Sequence, residues 1–342
     1  MLLSRVVFKT ALNFEPETMI RDKPMKVIVT GGAGFIGSHL VDKLVELNYH
    51  VVVIDNLSSG SIENIRHHLN KGSVEFIQVD LKNREDTYRA ITNADVVFHL
   101  AANPEVRVSS IAPEVHFNEN IVATFNVLEA MRRNDVEKIV FASSSSVYGE
   151  PENIPVDETA PLRPVSVYGA SKASCESLIH AYSKLYGVDA IILRYANIVG
   201  PRLRHGVIYD LLTKLTRNKE VLEVLGDGTQ VRSYLYITDA IDATLVAWLK
   251  SPSGYNVYNI GNIDWITVND VVDVILSELN LKNKTRVIYK PVLHGVGWLG
   301  DVKRIALDVE RIMKLGWKPT LSSKESVRKT TRELIAELRL LE

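Results

Sequence analysis

The sequence is poor in cysteine. Only one of its 342 residues, Cys175, is a cysteine, so an internal disulfide and a cysteine-based metal cluster are both excluded. Cys175 lies in a helix-like segment with no obvious base beside it in sequence, and we interpret it as a packing residue rather than a catalytic thiol. We predict no metal site. A single thiol is typical of a reducing compartment, and we expect a cytoplasmic protein.

The sequence also lacks an excess of charge of one sign and any long apolar run. Its 40 basic residues balance 41 acidic ones, and no long stretch carries like charge. Nucleic acids and membrane surfaces normally require a basic patch, so neither is a predicted partner. No apolar run approaches the roughly 20 residues that span a bilayer. The composition is that of a soluble globular protein.

The N-terminal residues 1–24 precede the segment MKVIVTGGAGFIG, in which a compact fold begins at Met25. Either these residues form an extension, or translation starts at Met25. A secretory signal is disfavoured, because Arg5 and Lys9 interrupt a short apolar part that has no clear small-residue cleavage site.

Apolar strand-like runs alternate with helix-like segments along most of the chain. The runs are continuous and rich in Val and Ile, as in KVIVTG, HVVVIDN, VEFIQVD, DVVFHLAA, KIVFASS and AIILRYAN. This pattern is typical of parallel strands that are covered on both faces. We predict an α/β fold, a Rossmann-type doubly wound parallel sheet with a smaller mixed C-terminal substrate domain. The predicted Rossmann-type domain covers 25–199 and 231–250, and the smaller domain covers 200–230 and 251–342.

A glycine-rich segment, GGAGFIGS, follows the first predicted strand and opens a helix. Gly31, Gly34 and Gly37 permit a tight turn and let backbone N–H groups approach a pyrophosphate at the positive end of that helix. Asp55 ends the next strand, where its carboxylate can accept both ribose hydroxyls and would repel a 2′-phosphate. The following NLSSG contains no Arg or Lys to receive such a phosphate. The cofactor predicted is therefore NAD rather than NADP.

Tyr168 and Lys172 lie four residues apart in a predicted helix, which places them on one face. A free tyrosine has a pKa near 10, so a working base at neutral pH needs a strongly lowered pKa. A neighbouring lysine cation and a positive nicotinamide ring would supply that change. Such a pair is a surface contact on most helices, and the dinucleotide motif that precedes it makes the catalytic interpretation the favoured one.

A run of four serines, in KIVFASSSSVYG, ends a predicted strand. Ligands of open parallel sheets bind beyond the carboxyl ends of the strands. A hydroxyl at this position can bind the substrate oxygen whose proton the tyrosine removes, and small side chains leave room for a sugar. The alternative for Ser143, Ser145 and Ser146 is a serine-rich turn with no role.

Taken together, these segments resemble the extended short-chain dehydrogenase/reductase family, and within it the NAD-dependent nucleotide-sugar epimerases. The resemblance covers about residues 25–320 and includes TGGAGFIGS, DNLSSG, HLAA, SSSSVYG, YGASK, LRYANIVGPR, GDGTQVRSYLYITD, GDV and LGWKP. It implies epimerisation of a UDP-sugar at C4 through a 4-keto intermediate. UDP-glucose and UDP-galactose are the expected substrates, and their N-acetyl forms are further candidates. It also implies a homodimer through two sheet-flanking helices, one of which includes NIVATFNVLEAM.

The resemblance also implies roles for individual residues. Asp80 is a further candidate, for the adenine amino group, because it ends the strand VEFIQVD. The implied catalytic residues are Ser144, Tyr168 and Lys172. The implied cofactor contacts are Gly31, Gly34, Phe35, Ile36, Gly37, Asp55, Asn56, Ser58, Ser59, Gly60, Asp80, Leu81, Leu100, Ala101, Ala102, Asn120, Tyr168, Lys172 and Tyr195. The implied substrate contacts are Ser144, Tyr168, Asn197, Val207, Arg232 and Asp301.

Other activities of this scaffold are disfavoured by particular residues. Nucleotide-sugar 4,6-dehydratases carry an acidic pair where this chain has Ser145 and Ser146. Decarboxylation of a sugar uronate is the runner-up, disfavoured because such enzymes usually carry a glutamate there. A non-catalytic NAD-binding regulator would have lost the tyrosine or the lysine. Two departures bear on the substrate: Trp298 replaces an arginine that relatives often have before Asp301, and Ile305 permits a wider sugar pocket.

Overall fold

The computed structural model describes residues 24–338, and the predictions for residues 1–23 lie outside that range. The strands are β1 (Lys26–Thr30), β2 (His50–Asp55), β3 (Val74–Gln78), β4 (Val96–His99), β5 (Lys138–Ser144), β6 (Asp189–Tyr195), β7 (Ile198–Val199), β8 (Val221–Leu225), β9 (Val231–Arg232), β10 (Leu235–Tyr236), β11 (Tyr255–Ile260), β12 (Ile266–Thr267), β13 (Arg286–Lys290) and β14 (Arg304–Ile305).

The helices occupy the segments between the strands. They are α1 (Phe35–Glu46), α2 (Arg66–Leu69), α3 (Arg84–Ala90), α4 (Pro113–His116), α5 (Ala123–Arg133), α6 (Val167–Tyr186), α7 (Gly206–Arg217), α8 (Ile237–Lys250), α9 (Val268–Glu278), α10 (Glu310–Met313) and α11 (Ser323–Glu337). A π-helical segment, Phe117–Val122, joins α4 to α5. No helix among residues 24–338 combines the length and apolarity needed to cross a bilayer.

Seven parallel strands form the central sheet, in the order β11-β6-β5-β4-β1-β2-β3. The chain runs outward from β1 to one edge and then returns to build the other half from β4. The strand order therefore reverses between β1 and β4, and this switch point opens a crevice at the carboxyl ends of the strands. Helices cover both faces of the sheet, which confirms the predicted Rossmann-type doubly wound fold.

The continuous apolar runs form the interior strands because both of their faces are covered. Val27, Ile28 and Val29 of β1 have no exposed surface. Residues of α1 and α8 build the core on one face, and residues of α3, α5 and α6 build the core on the other. Cys175 lies in this second core as a buried free thiol, as expected for a packing residue.

The edge strand β11 lies in the range that the sequence analysis assigns to the smaller domain. It pairs in parallel with β6, from Tyr255 opposite Ala190 to Ile260 opposite Tyr195, so the structure adds it to the large sheet. Its sequence, YNVYNI, includes two asparagines and so lacks the continuous apolar pattern of the interior strands.

The smaller unit is assembled from short pieces. Strands β12, β9 and β14 form a mixed sheet, antiparallel on one side of β9 and parallel on the other, while β13 pairs with β8. Helices α7, α9 and α11 supply its separate core, which includes Leu212, Ile275 and Leu334. This unit faces the carboxyl edge of the large sheet across a cavity.

Candidate active site

A cavity of about 930 Å³ extends from the switch point of the large sheet to the smaller unit. All the predicted site residues lie within the described part of the chain, and the cavity is lined by every one of them except Asn120. The separate sequence motifs thus converge on one site.

The glycine segment forms a cradle that any side chain would fill. Gly31 has a φ of 70°, and a Cβ there would lie 2.7 Å from the backbone nitrogen of Ala101. A Cβ at Gly37 would lie only 2.1 Å from the carbonyl oxygen of Gly31. Helix α1 begins after Gly34, which offers no side-chain cap to its first N–H groups. The cradle therefore fits a pyrophosphate at the helix N-terminus.

The Asp55 carboxylate lies at the end of β2, beside this cradle. It is buried and accepts hydrogen bonds from the backbone N–H groups of Ala33, at 3.0 Å, and Leu57, at 2.8 Å. Burial raises the pKa of Asp55, and these two bonds oppose the rise. Its position and its two remaining acceptor directions suit the hydroxyls of a ribose, as predicted for NAD.

Two predicted cofactor contacts have other partners in the structure. Asp80 lines the cavity and accepts a hydrogen bond from the backbone of Lys82 at 3.0 Å. Asn120 is buried behind the cavity wall, where it accepts from the backbone N–H of Asn103 at 3.0 Å and donates to Ser171 at 2.8 Å. Asn120 therefore ties the loop after β4 to α6, and its direct contact with a cofactor remains a prediction.

Helix α6 presents Tyr168 and Lys172 to the cavity. The helix is entered through Ser166, whose hydroxyl caps the N–H of Gly169 at 3.1 Å. Tyr168 is in the first turn, and Lys172 follows one turn later on the same face. Lys172 is buried and donates to the carbonyl of Ala142, at the end of β5, at 2.7 Å. This bond places the ammonium group at the floor of the cavity.

The electrostatic balance at Tyr168 differs from the sequence-based expectation. Burial raises the pKa of Tyr168, and a hydrogen bond with Ser144 offsets part of that rise. The pKa of Lys172 is lowered to about 8, chiefly because burial disfavours its charge. Within the chain itself, Ser144 rather than Lys172 acts directly on the tyrosine. Within the chain these effects leave the pKa of Tyr168 raised, and a positive charge bound in the cavity would lower it.

The four serines have separate positions. Ser144 ends β5, caps the N–H of Ser146 at 3.2 Å and lies 3.1 Å from the Ser146 hydroxyl. Ser145 and Ser146 line the cavity with small side chains. Ser143 donates instead to Glu176 at 2.5 Å, so its hydroxyl is engaged in the protein interior.

Glu176 belongs to a buried ion pair that the sequence analysis missed. Its carboxylate lies 2.6 Å from the guanidinium of Arg194, and their side chains are only 3% and 5% exposed. Arg194 also donates to the hydroxyl of Tyr148 at 2.8 Å, which in turn donates to Asn259 at 2.7 Å. The network joins α6 to β5, β6 and β11 directly beneath the serines. No local motif marks it, because its members lie on different elements.

The opposite end of the cavity carries the predicted substrate residues. The guanidinium of Arg232 lies 2.8 Å from the Asp301 carboxylate, which also accepts from the N–H of Gly297 at 2.9 Å. Asn197 donates to the carbonyl of Ser233 at 3.0 Å, and Val207 lies in the first turn of α7. The guanidinium also donates to the carbonyls of Val231 at 2.8 Å, Lys303 at 3.3 Å and Val302, so it is fixed beside the cavity, and a diphosphate could engage its Nε–H or replace the bonds to these carbonyls.

Trp298 also lines this end of the cavity. Its indole nitrogen is buried and lacks a hydrogen-bond partner within residues 24–338. The guanidinium of Arg107 lies 6.0 Å from the centre of its ring and pairs with Glu105 at 2.8 Å and Asp210 at 3.2 Å. The sequence analysis missed this cluster, because its members come from three distant segments that carry no recognisable motif.

A dinucleotide cradle, a strand-end aspartate and a tyrosine–lysine pair in one cavity define a nucleotide-dependent enzyme of the short-chain dehydrogenase/reductase type. The chain belongs to the NAD dependent epimerase/dehydratase family, whose profile matches residues 27–261. The cofactor of the family is NAD, and the cradle and Asp55 fit it.

Similar proteins are known both as sequences and as structures. A putative UDP-glucose 4-epimerase of Methanocaldococcus jannaschii is 39% identical over 311 residues, which cover 89% of this chain and 96% of that protein. A crystal structure of a UDP-galactose 4-epimerase is 50% identical, with a TM-score of 0.82 over 92% of this chain and all of that one. The UDP-N-acetylglucosamine 4-epimerase of Methanobrevibacter ruminantium M1, in complex with UDP-N-acetylmuramic acid, is 32% identical, with a TM-score of 0.82 over 92% and 99% of the two chains.

Proposed function

We propose that this protein epimerises a UDP-sugar at C4, with NAD as its cofactor. The observation that carries the proposal is one cavity in which Ser144, Tyr168 and Lys172 lie between the dinucleotide cradle and the Arg232–Asp301 pair. The similarity to proteins described as UDP-glucose and UDP-galactose 4-epimerases supports the same reaction.

Bound NAD would supply reversible acceptance of a hydride from sugar C4, and its positive ring would favour the tyrosine phenolate. Tyr168 would take the proton of the C4 hydroxyl as the carbonyl forms and return it as the carbonyl is reduced. Ser144, whose hydroxyl partly offsets the raised pKa of Tyr168, would hold the same oxygen. Lys172, fixed to the carbonyl of Ala142, would bind the ribose and keep its charge beneath the tyrosine.

Inversion at C4 requires that either face of the 4-keto sugar can be turned toward the nicotinamide ring. The small side chains of Ser144, Ser145 and Ser146 leave space beside the tyrosine. A nucleotide held at the far end by Arg232 would let the sugar turn without leaving the protein. Elimination of water would need an acid and a base at the positions of Ser145 and Ser146, so dehydration is not the proposed reaction.

The substrates we propose are UDP-glucose and UDP-galactose, with the N-acetyl sugars as an extension of the same site. Ile305 is buried and lines the cavity at the edge of the small mixed sheet. Its aliphatic side chain brings neither a hydrogen-bonding group nor a charge to the sugar-binding end of the cavity. Only its volume could therefore exclude an acetamido group. The M. ruminantium protein, an N-acetylglucosamine 4-epimerase of similar structure, supports testing these sugars.

We also propose a cytoplasmic homodimer that buries the apolar surface of α5, α6 and the π-helical segment. Phe117 is 55% exposed and Leu185 72% exposed, and Phe125 and Tyr186 add exposed rings. The two helices are packed together, with the guanidinium of Arg132 lying 5.4 Å from the ring of Tyr186. An exposed apolar surface of this kind is typical of a protein interface.

The test of the dimer is light scattering on the wild type and on Phe125→Glu. The variant should have half the mass of the wild type, because a buried carboxylate would oppose association. Ile263→Glu is the matched control, since Ile263 is also an exposed apolar residue but lies outside this surface. A monomeric wild type, or equal masses for wild type and Phe125→Glu, would contradict the proposed interface.

The test of the reaction is chromatography of UDP-glucose, UDP-galactose and their N-acetyl forms after separate incubation with the protein. Each productive pair should reach the same equilibrium mixture from either side, without added NAD if the cofactor is retained through purification. Tyr168→Phe is the control. The assignment fails if the wild type interconverts none of these sugars, or if the variant matches its rate.

A further inference from the structure

A histidine pair and an aspartate meet outside the cavity. Asp42 is on α1, and His67 and His68 are on α2. The Nε2 atoms of His67 and His68 lie 3.1 Å and 2.7 Å from the same oxygen of Asp42, and the three ligand atoms are all within 4.8 Å of one another. None of the three residues lines the active-site cavity.

The bonds around this group prepare its nitrogen and oxygen atoms for a cation. The Ser73 hydroxyl donates to the carbonyl of His68 at 3.2 Å, so the lone pair of Ser73 faces His68 Nδ1 at 3.4 Å. A carboxylate oxygen only accepts, so at 2.7 Å the Nε2–H of His68 donates to Asp42, and a metal ion would replace that proton; a proton on Nδ1 would then be accepted by Ser73. Arg202 binds the other oxygen of Asp42 at 2.8 Å and fixes its orientation. Both imidazoles approach the same Asp42 oxygen, so one metal ion could take the place of both N–H···O contacts.

We propose that Asp42, His67 and His68 form a binding site for a divalent transition-metal ion of the zinc class. Two imidazoles and one carboxylate suit Zn²⁺ and its neighbours rather than Mg²⁺ or Ca²⁺, which prefer oxygen ligands. The fourth position of a tetrahedral ion is open to water, because the side chain of His67 is 46% exposed. The sequence analysis predicted no metal site, since the ligands lie on two helices that are distant in sequence.

The geometry requires a small adjustment at Asp42 and a further one between the two imidazoles, whose ligand atoms lie within 4.8 Å of each other. Ligand atoms around tetrahedral Zn²⁺, with bonds of about 2.0 Å, lie roughly 3.3 Å apart. The two contacts to Asp42, at 3.1 and 2.7 Å, would therefore lengthen by a few tenths of an ångström. His67 can move toward solvent to allow this. Arg202 places a positive charge next to the site, so the affinity should be moderate rather than tight.

The experiment is calorimetric titration of the untagged, chelator-treated full-length protein with Zn²⁺, and with Co²⁺ followed by visible absorption. We expect one ion per chain and a Co²⁺ spectrum of low symmetry. His67→Ala should weaken Zn²⁺ binding at least 10-fold. Because the side chain of His67 is exposed, this substitution should not disturb folding. Asp42→Asn, which keeps the shape of the residue, should weaken binding to the same extent. His50→Ala, which removes another exposed histidine, should bind like the wild type.

Two results would overturn the proposal. One is the absence of saturable Zn²⁺ binding to the wild type, and the other is equal binding by wild type and His67→Ala. Because the three ligands lie outside the cavity, the His67→Ala variant should keep the epimerase activity of the metal-free wild type. If the protein proved to have no epimerase activity, the metal-binding result would still stand. If it proved to bind no metal, the proposed enzyme activity would be unaffected.

Discussion

The two ends of the cavity are built in different ways. At the cofactor end, the shape is set by backbone: glycines that exclude any Cβ, a helix N-terminus and the ends of long parallel strands. At the substrate end, the shape is set by side chains, such as Arg232, Trp298 and Arg107, which come from short strands and loops distant in sequence. The cofactor end should therefore tolerate few substitutions, whereas single substitutions at the substrate end can alter which ligand it binds.

The largest effect should come from the residue between the two ends. Tyr168→Phe should lower kcat by about 10²- to 10⁴-fold, because it removes the group that exchanges the proton. The cofactor end would be untouched, so the NAD content per chain should equal that of the wild type. Epimerase assays with measurement of bound nucleotide test both statements. A variant that lost its NAD would show that Tyr168 also supports the cofactor end.

The ion pair beneath the serines should dominate stability. Glu176→Gln leaves Arg194 buried without a counter-charge and should lower the free energy of unfolding by about 3–5 kcal/mol. Denaturant unfolding measures this change. The double variant Glu176→Leu with Arg194→Met should lose less than the single variant, since it removes both charges. Equal losses would mean that the pair contributes through packing rather than charge.

The backbone-built end predicts a steric effect. Gly37→Ala places a Cβ 2.1 Å from the carbonyl oxygen of Gly31 and should cost about 1–3 kcal/mol of overpacking. NAD binding should weaken by about 10- to 100-fold, because the cradle and the start of α1 must shift apart. Fluorescence titration with NAD checks this. Gly261→Ala is the control, since a Cβ there meets only ordinary contacts, the nearest at 3.4 Å.

The side-chain-built end predicts a change in KM rather than kcat. Arg232→Lys keeps the charge but loses the planar set of donors that faces Asp301 and the cavity. We expect KM for the UDP-sugar to rise about 10-fold with kcat nearly unchanged. Arg304→Lys, an exposed neighbour on β14, should have no effect. A fall in kcat with unchanged KM would show that Arg232 contributes to the chemical step rather than to substrate binding.

The smallest effect concerns pH. Lys303 lies 2.6 Å from Asp227 and lowers the pKa of that carboxyl to about 2. A lowered pKa adds stability above the unfolded value of about 3.9, and that stability is lost as the pH falls toward 2. The pair is partly exposed to solvent, so its contribution should be below about 1 kcal/mol. Asp227→Asn should therefore lower the free energy of unfolding at pH 7 by less than about 1 kcal/mol, and denaturant unfolding should show this difference vanish as the pH falls toward 2.

The parts of the fold and site that could be predicted are those that a local pattern encodes. Gly31 has a positive φ, Gly37 lies against the backbone of nearby Gly31, and Tyr168 and Lys172 share a face through helical periodicity. The edge strand β11 departs from the apolar pattern of the interior strands, so its place in the sheet could not be read from composition.

The contacts that could not be predicted are tertiary. Glu176 and Arg194 look like ordinary charged residues until α6 is placed against β6. Arg107 meets Trp298 only because the loop after β4 reaches the smaller unit. In both cases the two contacting residues lie in segments that are distant in sequence. Neither their spacing nor their residue types therefore predict the contact.

Helix α6 carries Tyr168, Lys172 and the ion-pair carboxylate of Glu176, one turn apart along a single face. Each residue of an α-helix advances about 100° around the axis, so a one-residue insertion between any two of these would swing the later ones away from their partners. Homologous chains should thus keep the number of residues between these three positions, even where the intervening residues differ.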